Sequence, residues 1–308
     1  MSFKESDIPR LSGKSALVTG ATGGLGFEMA RMLASAGAHV ILAGRNPDKG
    51  AEALKRLRAN DHGLSIVFEL VDLGSLVSIA DIGARLRAGA APIDILINNA
   101  GVMTPPTRRT TSDGFELQFG TNHLGHFALT GHLLPLLCAA PASRVVSVSS
   151  GVAAMGQIDF DDLQSERRYR PVAAYGQSKL ANLLFARELQ RRSDLAGWNT
   201  LSVAAHPGHA RTDLIPNGQG ELHGFKQLMI KFLQVIASQD ATDGAKPAML
   251  AATAPGVEKL DYYGPSQMMQ QKGPPKRVKL PHRAEDDDVA RRLWTVSERL
   301  TSVTYSVD

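Results

Sequence analysis

Six short apolar runs recur between residues 15 and 204: SALVT (Ser15–Thr19), HVILA (His39–Ala43), Ser65–Val71, IDILI (Ile93–Ile97), Arg144–Val148 and TLSVA (Thr200–Ala204). Their apolar residues sit mostly at consecutive positions and are rich in β-branched side chains. That pattern predicts strands of a parallel sheet with both faces covered. Between them lie stretches of helical period. Gly24–Ala36 puts Leu25, Met29, Met32 and Leu33 on one side, and Pro47–Arg58 opens with a proline whose missing N–H costs nothing in a first turn. Further helices are predicted over Ser75–Ala88, over roughly 114–137, and over Ala174–Leu189. In the last of these, Leu180, Leu183, Leu184, Ala186 and Leu189 form the apolar stripe, and Arg187, Glu188 and Gln190 face away. The alternation predicts one α/β domain over the whole chain, a doubly wound parallel sheet with helices on both faces.

Two later segments break the alternation. Residues 213–240 start with a Pro/Gly turn and continue as an amphipathic helix, expected to act as a substrate lid. Residues 264–283 (GPSQMMQQKGPPKRVKLPHR) are rich in Pro, Gly and cations and read as a surface loop, opening a C-terminal extension over about 264–308.

Composition narrows the classes. The 308 residues are 43% hydrophobic and 21% charged, as in a globular protein with a large core. Lys and Arg number 34 against 30 Asp and Glu, a net charge of +4 that suits an anionic small molecule. The basic loop lacks the interleaved aromatic residues that stack nucleic-acid bases, so no nucleic-acid partner is expected. The N-terminus, MSFKESDIPRLSGK, has no apolar signal region, and no run of about 18 apolar residues predicts a membrane span. The chain is expected in the cytoplasm. The one cysteine, Cys138, excludes an intrachain disulfide and reads as a buried structural thiol. No H-E-x-x-H or Cys/His cluster appears among the nine histidines, so no metal is expected.

The candidate chemistry starts after the first strand, at Thr19-Gly20-Ala21-Thr22-Gly23-Gly24-Leu25-Gly26. Glycines allow a tight turn and close approach of backbone to a ligand, and the helix that follows offers free N–H groups at its positive end. Between a strand and a helix of a β-α-β unit, such a turn predicts a dinucleotide pyrophosphate site around Gly20, Thr22, Gly24, Leu25 and Gly26. At the end of the second strand, where an acidic residue would accept from a ribose 2′-hydroxyl, the chain has Ala43-Gly44-Arg45-Asn46. Arg45 supplies a cation suited to a 2′-phosphate, so NADP(H) is the expected cofactor and NAD(H) the alternative. Asp72, in Val71-Asp72-Leu73, offers a carboxylate to an adenine amino group or to the helix after it. Asn98-Asn99-Ala100-Gly101 ends the fourth strand at the edge where open α/β sheets bind ligands. Tyr175 and Lys179 lie one helical turn apart on one face; alone, they read as ordinary helix residues.

Together, Thr19–Gly26, Asn98–Gly101, Asn122, Ser150, Tyr175-x-x-x-Lys179 and Pro207-Gly208 resemble the short-chain dehydrogenase/reductase family, in its order and spacing. The stretches AGRNPDKG, TNHLGHFALT, RVVSVSS, YGQSKLANLLFARELQRR and HPGHART are similar to a retinol dehydrogenase-like branch of NADP(H) oxidoreductases. The resemblance implies a Rossmann-type domain and catalysis by Asn122, Ser150, Tyr175 and Lys179. Tyr175 would exchange a proton with a carbonyl or alcohol oxygen, and Lys179 would lower the phenol pKa and hold the nicotinamide ribose. Ser150, chosen over its neighbour Ser149 by its distance from Tyr175, would bond the reacting oxygen. Asn122 would help hold a water relaying protons from Lys179. Asp72, Leu73, Asn99, Ala100 and Gly101 would line the adenosine and ribose side, and Pro207, Gly208 and Thr212 the nicotinamide. The expected partner is a hydrophobic carbonyl or alcohol, with Leu214, Ile215, Phe225, Leu228, Met229 and Phe232 closing over it and His123, His209, Met155 and Tyr262 at its border. Family members are often dimers or tetramers, so a homo-oligomer is compatible. Two alternatives stand: reduction of a carbon–carbon double bond on the same fold, and a non-catalytic NADP(H)-binding regulator.

Overall fold

The computed structural model describes residues 3–208 and 240–306. Their strands form one sheet in the order β3-β2-β1-β4-β5-β6-β7-β8. Strands β1 (Ser15–Thr19), β2 (His39–Gly44), β3 (Ile66–Leu70), β4 (Ile95–Asn98), β5 (Ser143–Val148), β6 (Thr200–Ala205) and β7 (Tyr262–Gln267) run parallel. β8 (Lys272–Arg277) joins β7 antiparallel. The helices are α1 (Gly24–Ser35), α2 (Pro47–Asn60), α3 (Leu76–Gly89), the single turn α4 (Leu117–Phe119), α5 (Gly125–Ala139), α6 (Pro171–Ala196), α7 (Ala241–Thr253) and α8 (Asp287–Thr301). This is a single Rossmann-type α/β domain. Its strand order reverses between β1 and β4, and ligands of open α/β sheets bind at such a switch point, outside the strands' carboxyl ends.

Strands β1, β2, β4, β5 and β6 are buried on both faces, which is why their runs are mostly apolar, whereas the edge strands β3 and β8 are partly exposed. Ala16 and Val18 of β1 join the cluster that holds Met29 and Leu33 of α1 and Met249 of α7. Leu17, between them, joins the opposite cluster with Ile82 of α3, Phe127 and Leu133 of α5, and Phe185 of α6.

Three expectations are corrected. Residues 264–283 are not a loop, because most of β7 and all of β8 lie within them. Pro265 and Pro275 oppose each other across the pair, and a bulge follows between Pro265 and Gln267. β8 is the outermost strand, where prolines and cations are tolerated and discourage further pairing. The single helix over 114–137 is instead a bridge between Thr110 and Glu116, the turn α4, a π-helical turn over Gly120–Leu124, and α5. Tertiary bonds to this region outweigh its helical period, as the site geometry below makes plain. Cys138 is only partly buried. Helix α6 starts at Pro171, so Tyr175 sits one turn inside it. Among the described residues, no helix is long and apolar enough to cross a membrane.

Candidate active site

The chain leaves β1 through Gly20 and enters α1. Gly20 and Gly24 have φ of +67° and +53°, the left-handed region that favours glycine. A Cβ on Gly26 would lie 2.3 Å from the Gly20 carbonyl oxygen, so the turn closes only over glycine. No side chain caps α1, and its first turn holds no acidic residue. The amides of Gly24, Leu25 and Gly26 therefore face the turn without a side-chain acceptor, and this cradle fits a pyrophosphate. A Cβ on Gly44 would lie 3.1 Å from Thr22 Cγ2, so Thr22 stands beside the end of β2. Arg45 follows there, exposed and without an ion-pair or hydrogen-bond partner among the described residues. Asp72 accepts from the Gly74 amide at 2.9 Å through one carboxylate oxygen, and Ser75, not Asp72, caps α3. Leu73 is buried, packed where Gly125 of α5 leaves room for it.

Thr19 ties the glycine turn to the segment after β4. Its hydroxyl accepts from the amides of Asn99 and Ala100 at 2.9 and 3.0 Å, and Asn99 Nδ2 donates to the Thr19 carbonyl at 2.8 Å. Gly101 follows; a Cβ there would lie 3.1 Å from Asn122 Oδ1 and 3.5 Å from Lys179 Nζ. Asn122 is fully buried in the π-helical turn. Its Oδ1 accepts from the Val102 amide at 2.7 Å, and its Nδ2 donates to Val102 O and Ser178 Oγ, each at 3.0 Å. Buried Glu116 begins this region by accepting from the Gln118 and Phe119 amides at 3.0 and 2.7 Å. These bonds hold the irregular backbone that periodicity did not foresee.

The first turns of α6 bring the Tyr175 phenol up to the Ser150 hydroxyl. Lys179 Nζ lies 5.8 Å from the centre of the Tyr175 ring and donates to Val148 O at 3.1 Å. Ser149 points elsewhere: its hydroxyl donates to Lys179 O at 2.8 Å, with the Tyr262 phenol near it. One expectation about this pair is overturned. Burial pushes the Tyr175 phenol up to about 12 rather than down, the Ser150 hydroxyl opposing it. Lys179 is held near 8 by burial. At neutral pH Tyr175 is therefore a protonated phenol, already in the form that donates.

At the end of β6, Gly208 takes φ +67°, and a Cβ there would lie 2.5 Å from Gln271 O. The β7–β8 turn thus sits directly over Pro207-Gly208, a contact no local motif foretold. Ser150, Tyr175, Lys179, Asn122 and the glycine turn meet at the carboxyl ends of β1, β4 and β5. This set, on this sheet, decides the family.

The chain belongs to the short-chain dehydrogenase family. The family's model matches residues 14–219. The chain is 41% identical to human retinol dehydrogenase 13 over 297 residues, 95% of this chain and 86% of that protein. It is 38% identical to mouse polyprenol dehydrogenase over 305 residues, 97% of this chain and 87% of that one. A crystal structure of an uncharacterised Mycobacterium paratuberculosis protein matches with TM-score 0.81 and 37% identity, covering 99% of this chain and 100% of that chain. A Beutenbergia cavernae chain solved with bound NADP matches with TM-score 0.60 and 25% identity, covering 79% and 90%.

Members of this family are oxidoreductases that bind NAD(P)(H), and the retinol dehydrogenase-like branch is the one this chain resembles. Thr212, His209 and the apolar residues from Leu214 to Phe232 lie outside the described residues. His123 does not border the site: it is buried, bonded to Ser297 Oγ at 2.9 Å, with its ring 5.2 Å from that of Phe119. Tyr262 is buried behind Ser149, whereas Met155 is exposed just beyond Ser150. Among the described residues no group of His, Cys, Asp and Glu is arranged to hold a metal ion.

Proposed function

We propose that this chain is an NADP(H)-dependent oxidoreductase that interconverts a ketone or aldehyde and its alcohol, on a hydrophobic substrate. The observation that carries the reading is the grouping of Tyr175 with Ser150 before it, Lys179 Nζ 5.8 Å from the centre of its ring, and the glycine turn beside it. Relatives named for retinol and polyprenol, both apolar alcohols, support the substrate class.

The residues divide the work. Gly20, Thr22, Gly24, Leu25 and Gly26 would hold the pyrophosphate, Arg45 the 2′-phosphate, and Asp72, Leu73, Asn99, Ala100 and Gly101 the adenosine and ribose side. Pro207 and Gly208 would meet the nicotinamide, and Thr212, expected there too, lies outside the described residues. When bound, the nicotinamide supplies the hydride in reduction and accepts it in oxidation. Ser150 donates to the substrate oxygen and orients it toward Tyr175. Tyr175 gives its proton to that oxygen in reduction and takes it back in oxidation. The Lys179 ammonium stabilises the phenolate left behind. Asn122 keeps Val102 and Ser178 in place around this group and holds the path by which the proton is restored.

NADPH and NADH consumption against a panel of aliphatic, aromatic and steroid-like ketones and aldehydes tests the reading. Turnover to alcohols is expected, with NADPH favoured; a saturated ketone as product would move the chemistry to a carbon–carbon double bond. Arg45→Asp is expected to lower the NADPH-to-NADH preference about ten- to a hundredfold, the scale of one charge-assisted hydrogen bond. An unchanged ratio would show that Arg45 does not read the 2′-phosphate.

A further inference from the structure

His126 stands between two parts of the site that are far apart in sequence. It lies on α5, and is 2% exposed. Its Nδ1 is 2.9 Å from the Asn122 carbonyl oxygen, and its Nε2 is 2.8 Å from Thr19 Oγ1. A carbonyl oxygen only accepts, so Nδ1 carries the hydrogen. Burial drives the ring pKa down to about 4, so the ring is neutral and Nε2 is bare. The Thr19 hydroxyl then donates to Nε2, closer than its other acceptor, Ile97 O, at 3.3 Å. Both Thr19 lone pairs remain for the amides of Asn99 and Ala100. One proton arrangement thus satisfies a hydroxyl, an imidazole and two amides at their full capacity.

The bonds continue in both directions. On one side, Thr19 opens the glycine turn and holds the Asn99–Ala100 segment. On the other, Asn122 bonds Ser178, whose hydroxyl donates to Tyr175 O at 2.8 Å. What sets His126 apart is which groups it joins: the start of the glycine turn and the π turn at Asn122. His123, three residues earlier, instead faces Phe119, Phe127 and Phe185 and bonds the Ser297 hydroxyl, away from both.

We propose that His126 is a positioning residue: as the neutral Nδ1–H tautomer, it ties the Thr19–Gly26 turn to the π turn at Asn122, so that the cofactor cradle and the Tyr175 end of α6 keep one relative placement. Its effect on cofactor binding rests on the function proposed above; the link itself does not.

Two measurements on the full chain test it. In 15N NMR of histidine-labelled protein, His126 is expected with Nδ1 protonated and Nε2 bare between about pH 8 and pH 5. An Nε2-protonated ring would overturn the proposal. In NADPH titrations, His126→Phe is expected to weaken binding about tenfold, Thr19→Val by at least as much because it also removes the acceptor of the Asn99 and Ala100 amides, and the double variant no more than Thr19→Val alone. Thr19→Ser, which keeps the hydroxyl, is expected to bind as the parent does. Losses that add in the double variant, or single variants that melt earlier yet bind NADPH unchanged, would reduce His126 to a core residue and overturn the proposal. If His126→Phe fails to fold, His126→Gln takes its place in the same titrations. A parent chain with the expected tautomer that binds neither NADPH nor NADH would uphold the link and overturn the proposed function instead.

Discussion

Tyr175→Phe is expected to abolish measurable turnover while leaving NADPH binding nearly intact. The substitution removes one oxygen from a ring that is 9% exposed and otherwise keeps its packing. The contact between the ring and Lys179 Nζ survives, since it involves the ring face. Ser150 still accepts from the Val152 amide at 3.3 Å, so its hydroxyl keeps a place. What disappears is the proton that the substrate oxygen must receive. Positioned acid–base groups contribute about 10²- to 10⁴-fold, so kcat should fall by that factor. NADPH fluorescence titration should give a Kd within about twofold of the parent, well inside the tenfold that 1.4 kcal/mol represents. Substantial residual kcat would refute the proton-transfer role. Because burial, and not a missing partner, holds the phenol near 12, the enzyme should reduce carbonyls with Tyr175 in its resting form, without a prior deprotonation.

Trp294→Ala is expected to destabilise the fold by about 3–5 kcal/mol, the range for truncating a buried aromatic. Trp294 lies on α8 and is 2% exposed. Its ring stacks on Phe185 of α6 at 5.7 Å and 11°, meets Phe127 of α5 edge-on at 4.9 Å and Tyr305 at 4.4 Å. Its Nε1–H donates to Glu298 at 2.8 Å, and the Arg192 guanidinium sits 4.4 Å over the ring. A domain is usually stable by about 5–15 kcal/mol, so the loss is a large share of the whole. The denaturation midpoint should drop with the slope unchanged, and Trp294→Phe should recover most of it. A loss below about 1 kcal/mol would mean that the C-terminal segment is an appendage and not core. The functional interest is that Phe185 shares α6 with Tyr175 and Lys179, so the tail buttresses the helix that carries the site.

Several elements were legible because their signals are local. The strands from β1 to β6 announce themselves as short apolar runs, and in all but the edge strand β3 both faces are buried, so no alternation confuses them. The glycine turn is legible because only glycine closes it: the Gly20 carbonyl leaves no room for a Cβ at Gly26. Tyr175 and Lys179 share a face whatever surrounds the helix, since four residues make about one turn. The choice of Ser150 over Ser149 rests on its spacing from Tyr175; in the fold the Ser149 hydroxyl is turned to the Lys179 carbonyl.

The rest depends on partners distant in sequence. Prolines and lysines in 264–283 read locally as a loop, yet β6 offers β7 a free edge and β7 offers one to β8, and an outermost strand tolerates both residue types. The helical period over 114–137 is real, but Glu116, Asn122 and His126 spend their hydrogen bonds on the backbone and on other loops, and the helix yields a π turn. The direction of the Tyr175 shift follows the same logic: a lysine one turn away argues for a lowered pKa, and only the burial of both side chains reverses it. The sequence by itself thus determined the strands, the nucleotide-binding turn and the Tyr-Lys pair, because each follows from spacing along a few residues. Only the tertiary structure decided the edge of the sheet, the protonation of the site and the contact of His126 with Thr19 across 107 residues, because burial and long-range pairing belong to the folded chain and to no segment of it.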